Sequence, residues 1–365
     1  PPQTAVPTTF DLSFYSKVRD LSGNGMGTRF LARHKQSGDR VEILVLGDAI
    51  IYDRVFTNRW LATAKRAIMI DHPFIRKMLH AGVDGENRHY AILEHVDGES
   101  LQDTMDNLGV YPLSEALGVL WLMCQGLRFA NNKGLFHGHL HPDCVVIGQD
   151  GHPRISDLGL IVDFEQVIAA RVQRNHGMDV PLYLAPELAV SGQIAVQRSD
   201  IYSLGAIFYH MITGQAPVIG DSPSVAMMHS AEDNILPPST IDTRIPKYVD
   251  KLISKMMASE PSLRYQSMMQ LQTDVQRVRQ ALERGAPGAD KMQMGEGEVG
   301  ERMDAQERAR RVRREKDEAR RRQMTRAKRK SGTLPNRDSE RREAQSEVDD
   351  AQLTELGLKR IEDKG

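Results

Sequence analysis

The feature that most constrains this chain is how its periodicities are sorted along it. Strand-like patterning is confined to roughly Tyr15 to His95, and helical periodicity dominates from Leu101 to Leu282. In the first stretch, Val41-Glu42-Ile43-Leu44-Val45-Leu46 is a short apolar β-type run that follows the turn residues Ser37-Gly38-Asp39. His89-Tyr90-Ala91-Ile92-Leu93 is a second such run. One helix, from Arg59 to Met69, falls between them, and Asp71-His72-Pro73 ends it. In the second stretch, Ser114 to Asn131 and Arg198 to Ile212 carry the helical period. Strands first and helices afterwards predict an α+β fold with two lobes. The small β-rich lobe spans about 13–95 and the larger helical lobe about 96–283.

The ends of the chain differ in character. Residues 1–12 read as a flexible N-terminal segment, and the start, Pro1-Pro2-Gln3, is neither an initiator methionine nor a signal peptide. Residues 284–300 are Gly-rich and linker-like. The net charge of -1 conceals an imbalance, because residues 301–330 carry about fourteen basic and six acidic side chains. Asp304 with Arg308, Glu307 with Arg311, Asp317 with Arg321 and Glu318 with Arg322 are acidic-before-basic pairs four apart, which favours an exposed helix. Ala305, Val312 and Ala319 recur every seven but are too small and too few for a stable coiled coil. Residues 301–365 are therefore expected to form a charged helical or disordered tail. Its basic part is expected to meet an anionic partner: an acidic protein, nucleic-acid phosphates or a membrane surface. No aromatic side chains interleave the basic ones, so contact with nucleic acid would be to phosphates rather than to stacked bases.

Two cysteines far apart, Cys124 and Cys144, offer no disulfide framework and point to a reducing, cytoplasmic setting. No apolar run approaches the roughly eighteen residues of a membrane span.

Several short motifs follow one another through the two-lobed region. They are Leu21-Ser22-Gly23-Asn24-Gly25-Met26-Gly27, Val41-Glu42-Ile43-Leu44, His137-Gly138-His139-Leu140-His141-Pro142-Asp143-Cys144, Asp157-Leu158-Gly159, Ala185-Pro186-Glu187, Arg198-Ser199-Asp200 and Glu260-Pro261-Ser262-Leu263-Arg264. In this order and spacing they resemble the protein kinase family, nearest to the bacterial serine/threonine kinases, over residues 15–283.

The resemblance implies a role for each position. Gly23, Gly25 and Gly27 lie where the family closes a Gly-rich loop over phosphates, although such glycines equally serve a tight hairpin. Leu44 stands at the family's phosphate-pairing lysine and Thr63 at that lysine's glutamate partner. His139 replaces the catalytic aspartate, His141 the phosphate-facing lysine and Cys144 the metal-holding asparagine. Asp157 keeps a metal-ligand position, and a thiol is a poor Mg²⁺ ligand beside it. Arg29 and Glu42 fall on either side of the adenine pocket and are expected to reach each other across adjacent strands, filling it. His137, Gly159, Glu187, Asp200 and Arg264 keep structural positions, with an ion pair expected between Glu187 and Arg264.

Read this way, the chain is expected to be a pseudokinase: not an enzyme, without ATP or Mg²⁺, serving as a binding scaffold for another protein. The alternative is a divergent serine/threonine kinase or nucleotide transferase with weak ATP-dependent activity, in which His139 acts as the base. His139, His141 and Cys144, with Asp157, also suggest a transition-metal site.

Overall fold

The structure is a computed structural model, and it describes residues 12–21, 27–47, 51, 54–160, 180–189, 196–217 and 235–285. The N-terminal lead-in, the loop positions Gly23 and Gly25, most of the linker and the whole charged tail lie outside the described residues. Residue contacts divide the chain into a unit Pro1–Gly297 and a second unit Glu298–Gly365.

The first lobe is built on a five-stranded antiparallel sheet in the order β1-β2-β3-β5-β4. Its strands are β1 (Tyr15–Leu21), β2 (Gly27–His34), β3 (Arg40–Leu46), β4 (Met78–Val83) and β5 (His89–Glu94). Gly27 opens β2 for a steric reason: a Cβ there would sit 1.9 Å from the carbonyl oxygen of Val45. Strand packing thus demands this glycine whether or not phosphate lies nearby. Helix α1 (Arg54–Ala67) begins five residues earlier than the sequence suggested. It buries Phe56, Trp60 and Ala64, four residues apart on one face, together with Ala67. These side chains join Leu44, Ala91 and Leu93 from the sheet and Leu135 and Leu158 from the loops below in one apolar cluster.

The second lobe starts with a short sheet, β6 (Gly98–Ser100), β7 (Val145–Gly148) and β8 (Pro153–Ile155), and α2 (Leu101–Leu108), capped by the Ser100 hydroxyl on the Asp103 amide. Helices α3 (Leu113–Asn132), α4 (Gln197–Thr213), α5 (Lys247–Met256) and α6 (Met268–Arg284) enclose the main core. Helix α4 is apolar almost all round and is correspondingly central, with Ile201, Leu204 and Phe208 fully buried. Helix α6 opens on a Ser267 cap and stops at Gly285, whose left-handed backbone closes the C-terminus at the point where the Gly-rich linker was expected to begin. Among the described residues no helix is long and apolar enough to cross a membrane.

Candidate functional site

The loop between α3 and β7 is pinned from below. Both oxygens of Asp200, on the first turn of α4, accept backbone N–H groups, from His137 at 2.9 Å and from Gly138 at 2.8 Å. Gly138 has φ 72°, a turn that an L side chain would strain. The His137 ring lies 2.9 Å from the Ser156 carbonyl through Nε2 and accepts the His139 amide at Nδ1, which selects the tautomer protonated on Nε2. Burial holds the His137 pKa below the ordinary imidazole value despite the attraction of Asp200, so the ring is neutral.

Farther from the cleft, Arg264 grips Glu187 with two parallel bonds of 2.7 Å. Arg264 also donates to the carbonyls of Ala258, Arg198 and Ser259, and Ser199 donates to Glu187 at 2.9 Å. Burial works to raise the Glu187 pKa, but the guanidinium outweighs it and holds the carboxyl below its ordinary value.

The cleft itself is organised around four charges. Arg29 lies 2.5 Å from Asp157 and 3.8 Å from Glu42. Arg76 lies 2.6 Å from Glu42 and donates to the Ser156 hydroxyl at 3.5 Å, and that hydroxyl donates to Asp157 at 3.0 Å. The result is a closed ring of alternating sign with no net charge. Register explains its first half: Arg29 pairs with Leu44 and Glu42 with Leu31, so Arg29 and Glu42 are diagonal neighbours on one face of the sheet. Arg29 and Glu42 do meet, but the stronger partner of Arg29 is Asp157 and that of Glu42 is Arg76. Arg76 carried no motif, and its part in the ring depends on a chain path between α1 and β4 that periodicity does not encode. Burial by itself would raise the Asp157 pKa, yet Arg29, with help from Arg76, holds it far below the carboxylate range. Glu42 is lowered likewise, with Arg76 overcoming burial. Asp157 adopts φ 60°, a left-handed backbone unusual for a residue with a side chain.

The other positions fall close by. Leu44 is fully buried in the apolar cluster with Leu158. Thr63 faces Gly159, since a Cβ on that glycine would lie 2.9 Å from the Thr63 methyl. Its hydroxyl turns back to the Arg59 carbonyl at 2.9 Å. His139, His141 and Cys144 come together, all buried, with one ligand atom from each within 4.8 Å of the others. Asp157 does not join them in that group; its carboxylate is committed to Arg29.

This two-lobed frame, with its ordered motifs about one cleft, is that of a protein kinase. The chain belongs to the protein kinase domain family, whose pattern matches residues 29–275. Among named relatives, it is 32% identical over 275 residues to the serine/threonine-protein kinase PknB of Mycobacterium leprae, covering 73% of this chain and 43% of PknB. It is 33% identical over 259 residues to PknA of Mycobacterium tuberculosis, covering 69% of this chain and 58% of that protein. A double mutant of the Mycobacterium tuberculosis PknI kinase domain superposes with a TM-score of 0.59 at 23% identity, covering 76% of this chain and all 100% of that one, which shows the shared bilobal fold. The chain spans about two fifths to three fifths of the length of these curated relatives.

These matches correct two expectations. Relatives named as serine/threonine-protein kinases, together with the family's domain, point to an enzyme rather than to a chain that is none. They likewise imply use of ATP and Mg²⁺ where no cofactor was expected. The frame keeps Asp157 and the Asp200 anchor of the His137–Gly138 backbone. The described donors nevertheless do not fit a magnesium nucleotide in the family's usual manner. A buried isobutyl group at Leu44 has nothing to donate to a phosphate, Cys144 offers sulfur where Mg²⁺ wants oxygen, and Asp157 is already engaged by Arg29.

Proposed function

We propose that this chain is a divergent protein kinase domain of the bacterial serine/threonine type, with weak ATP-dependent transfer activity and a cleft held closed at rest by the Arg29–Asp157 contact. The carrying observation is that Asp157 keeps its place and its left-handed backbone while its carboxylate is covered by an arginine from β2. A charge kept at that depth is available only when Arg29 swings away, so the ring acts as a latch. His139 stands on the loop that Asp200 anchors and takes the base role once the cleft opens, its ring being buried in the closed state. The missing lysine and asparagine positions account for weakness, because phosphoryl transfer relies on positioning and charge stabilisation.

The test uses tag-free chain, millimolar ATP and either Mg²⁺ or Mn²⁺. Thermal stabilisation and γ-phosphate transfer to the chain or to a generic protein substrate are expected, both increased by Arg29→Ala and the transfer reduced by His139→Ala. Absence of stabilisation and of transfer in both the native chain and Arg29→Ala would overturn the reading.

A second reading is favoured by the same ring. A cleft whose four charges cancel suits a domain that also serves as a scaffold for another protein in the cytoplasm, with residues 301–330 supplying contact to an anionic partner. Deleting residues 301–330 and finding partner capture unchanged would remove the arm from this account.

A further inference from the structure

His139, His141 and Cys144 are a set of ligands out of keeping with the rest of the cleft. All three are nearly inaccessible, at 1%, 3% and 2% exposure. They come from one short loop, in which a single 3-10 turn (Pro142–Cys144) brings the cysteine back towards the two histidines. The two imidazoles meet edge to face with centroids 4.9 Å apart. The Cys144 sulfur lies 3.7 Å from the His139 carbonyl, and one ligand atom from each residue falls within 4.8 Å of the others. A tetrahedral zinc ion with metal–nitrogen bonds of about 2.0 Å and a metal–sulfur bond of about 2.3 Å needs ligand atoms roughly 3.3–3.6 Å apart. The 4.8 Å limit exceeds this by about 1.2–1.5 Å, a difference that side-chain rotation has to close on binding.

We propose that these three side chains bind one Zn²⁺ ion, with the fourth coordination position taken by a single enclosed water. Two imidazoles and a thiolate suit a borderline-soft divalent ion and are a poor match for Mg²⁺ or Ca²⁺. The Asp143 carboxylate, 3.5 Å from the His141 ring, stands where an outer carboxylate orients a metal-bound histidine. The neighbouring arginine is no obstacle, because Arg29 is neutralised by Asp157 and Glu42. The ion takes His139 out of proton transfer, so bound zinc inhibits whatever transfer the domain performs. The site goes beyond the kinase reading, and binding is measured without nucleotide, so either can fail alone.

The experiment titrates Zn²⁺ into chelator-stripped full chain carrying no histidine tag, then replaces zinc with Co²⁺ and records the absorption spectrum. The expected result is one equivalent per chain, with a thiolate-to-cobalt charge-transfer band in the near ultraviolet. Cys144→Ser abolishes the band while Cys124→Ser, which removes a cysteine buried in α3, leaves it. Asp143→Asn, at an exposed position that does not threaten folding, weakens zinc binding by about tenfold. The proposal is overturned by binding below one equivalent, by a band that survives Cys144→Ser, or by unchanged affinity in both Asp143→Asn and His141→Ala.

Discussion

The helical lobe and the cleft were built to the same plan and have parted company in their chemistry. In the lobe, Glu187 pairs with Arg264, and Asp200 holds the His137–Gly138 backbone. In the cleft, Arg29 lies on Asp157, Leu44 is buried where the resemblance implies a lysine, and imidazoles with a thiol line the loop. The difference teaches that the two jobs of the fold are separable. The bonds that hold backbone segments together carry the residue types that the resemblance implies, whereas the cleft carries other side chains whose charges balance. The ring shows how: two arginines and two carboxylates leave no buried charge uncompensated.

The sharpest way to break this comparison is to strike the frame. Arg264 is wholly buried and donates to Glu187 and to three carbonyls. Arg264→Met leaves Glu187 with the Ser199 hydroxyl, removes a donor from the three carbonyls and is expected to cost about 3–5 kcal/mol, measured by denaturant unfolding. A loss under about 1 kcal/mol would mean that the helical lobe does not depend on this pair.

A smaller effect is expected in the cleft. Arg29→Met leaves Asp157 with Ser156 and Arg76 still beside it, so the loss should be about 2–3 kcal/mol, less than a fully orphaned charge. Combining it with Asp157→Asn in a double-mutant cycle should give a coupling of about 1–3 kcal/mol. Additive losses would show that the two side chains act independently and that the latch does not exist.

Gly159→Ala ranks third. It places a Cβ at φ 71° and 2.9 Å from the Thr63 methyl. The left-handed backbone accounts for about 1–2 kcal/mol of the expected loss and the clash for the remainder. Thr63→Ser removes the methyl, so the alanine should cost less in that background. An equal cost in both backgrounds would separate α1 from the Asp157 loop.

Much of the fold was legible because sorted periodicity and motif order are both local. The strand at Val41 and the helices at Ser114 and Arg198 were visible in their own residues. The frame was legible too, since Glu187 and Arg264 occur within short quoted motifs. Arg76 was not, because nothing in Phe74-Ile75-Arg76 reveals that the chain will turn its guanidinium towards Glu42. The start of α1 was also missed. Its first turn, Arg54-Val55-Phe56-Thr57, adds one side chain, Phe56, to the apolar cluster, and that packing places the turn in the helix. Function is hard to read from the sequence for a related reason. Replaced side chains are conspicuous in a sequence, while a retained backbone geometry such as that of Asp157 is not.

The smallest expected effect concerns acid, and it distinguishes the two regions by their carboxylates. Glu187 in the frame and Asp157 and Glu42 in the cleft all have folded pKa values below the ordinary carboxylate range, because arginines outweigh burial. A carboxyl lowered by folding contributes stability that is fully present above its unfolded value and is lost as pH falls through the folded one. The carboxylate share of stability should therefore be level above about pH 5 and decline below it, since the unfolded chain takes up protons first, while histidines held below their ordinary values, His137 among them, already withdraw stability below about pH 7. Arg264→Met should flatten the part of this decline due to Glu187 and leave that of the cleft, whereas Arg29→Met should do the reverse for Asp157. Unfolding free energies measured at steps between about pH 5 and pH 3 give the two slopes. Identical slopes in native and variant chains would mean that these carboxyls titrate alike whether folded or not, and that arginine pairing stabilises neither region.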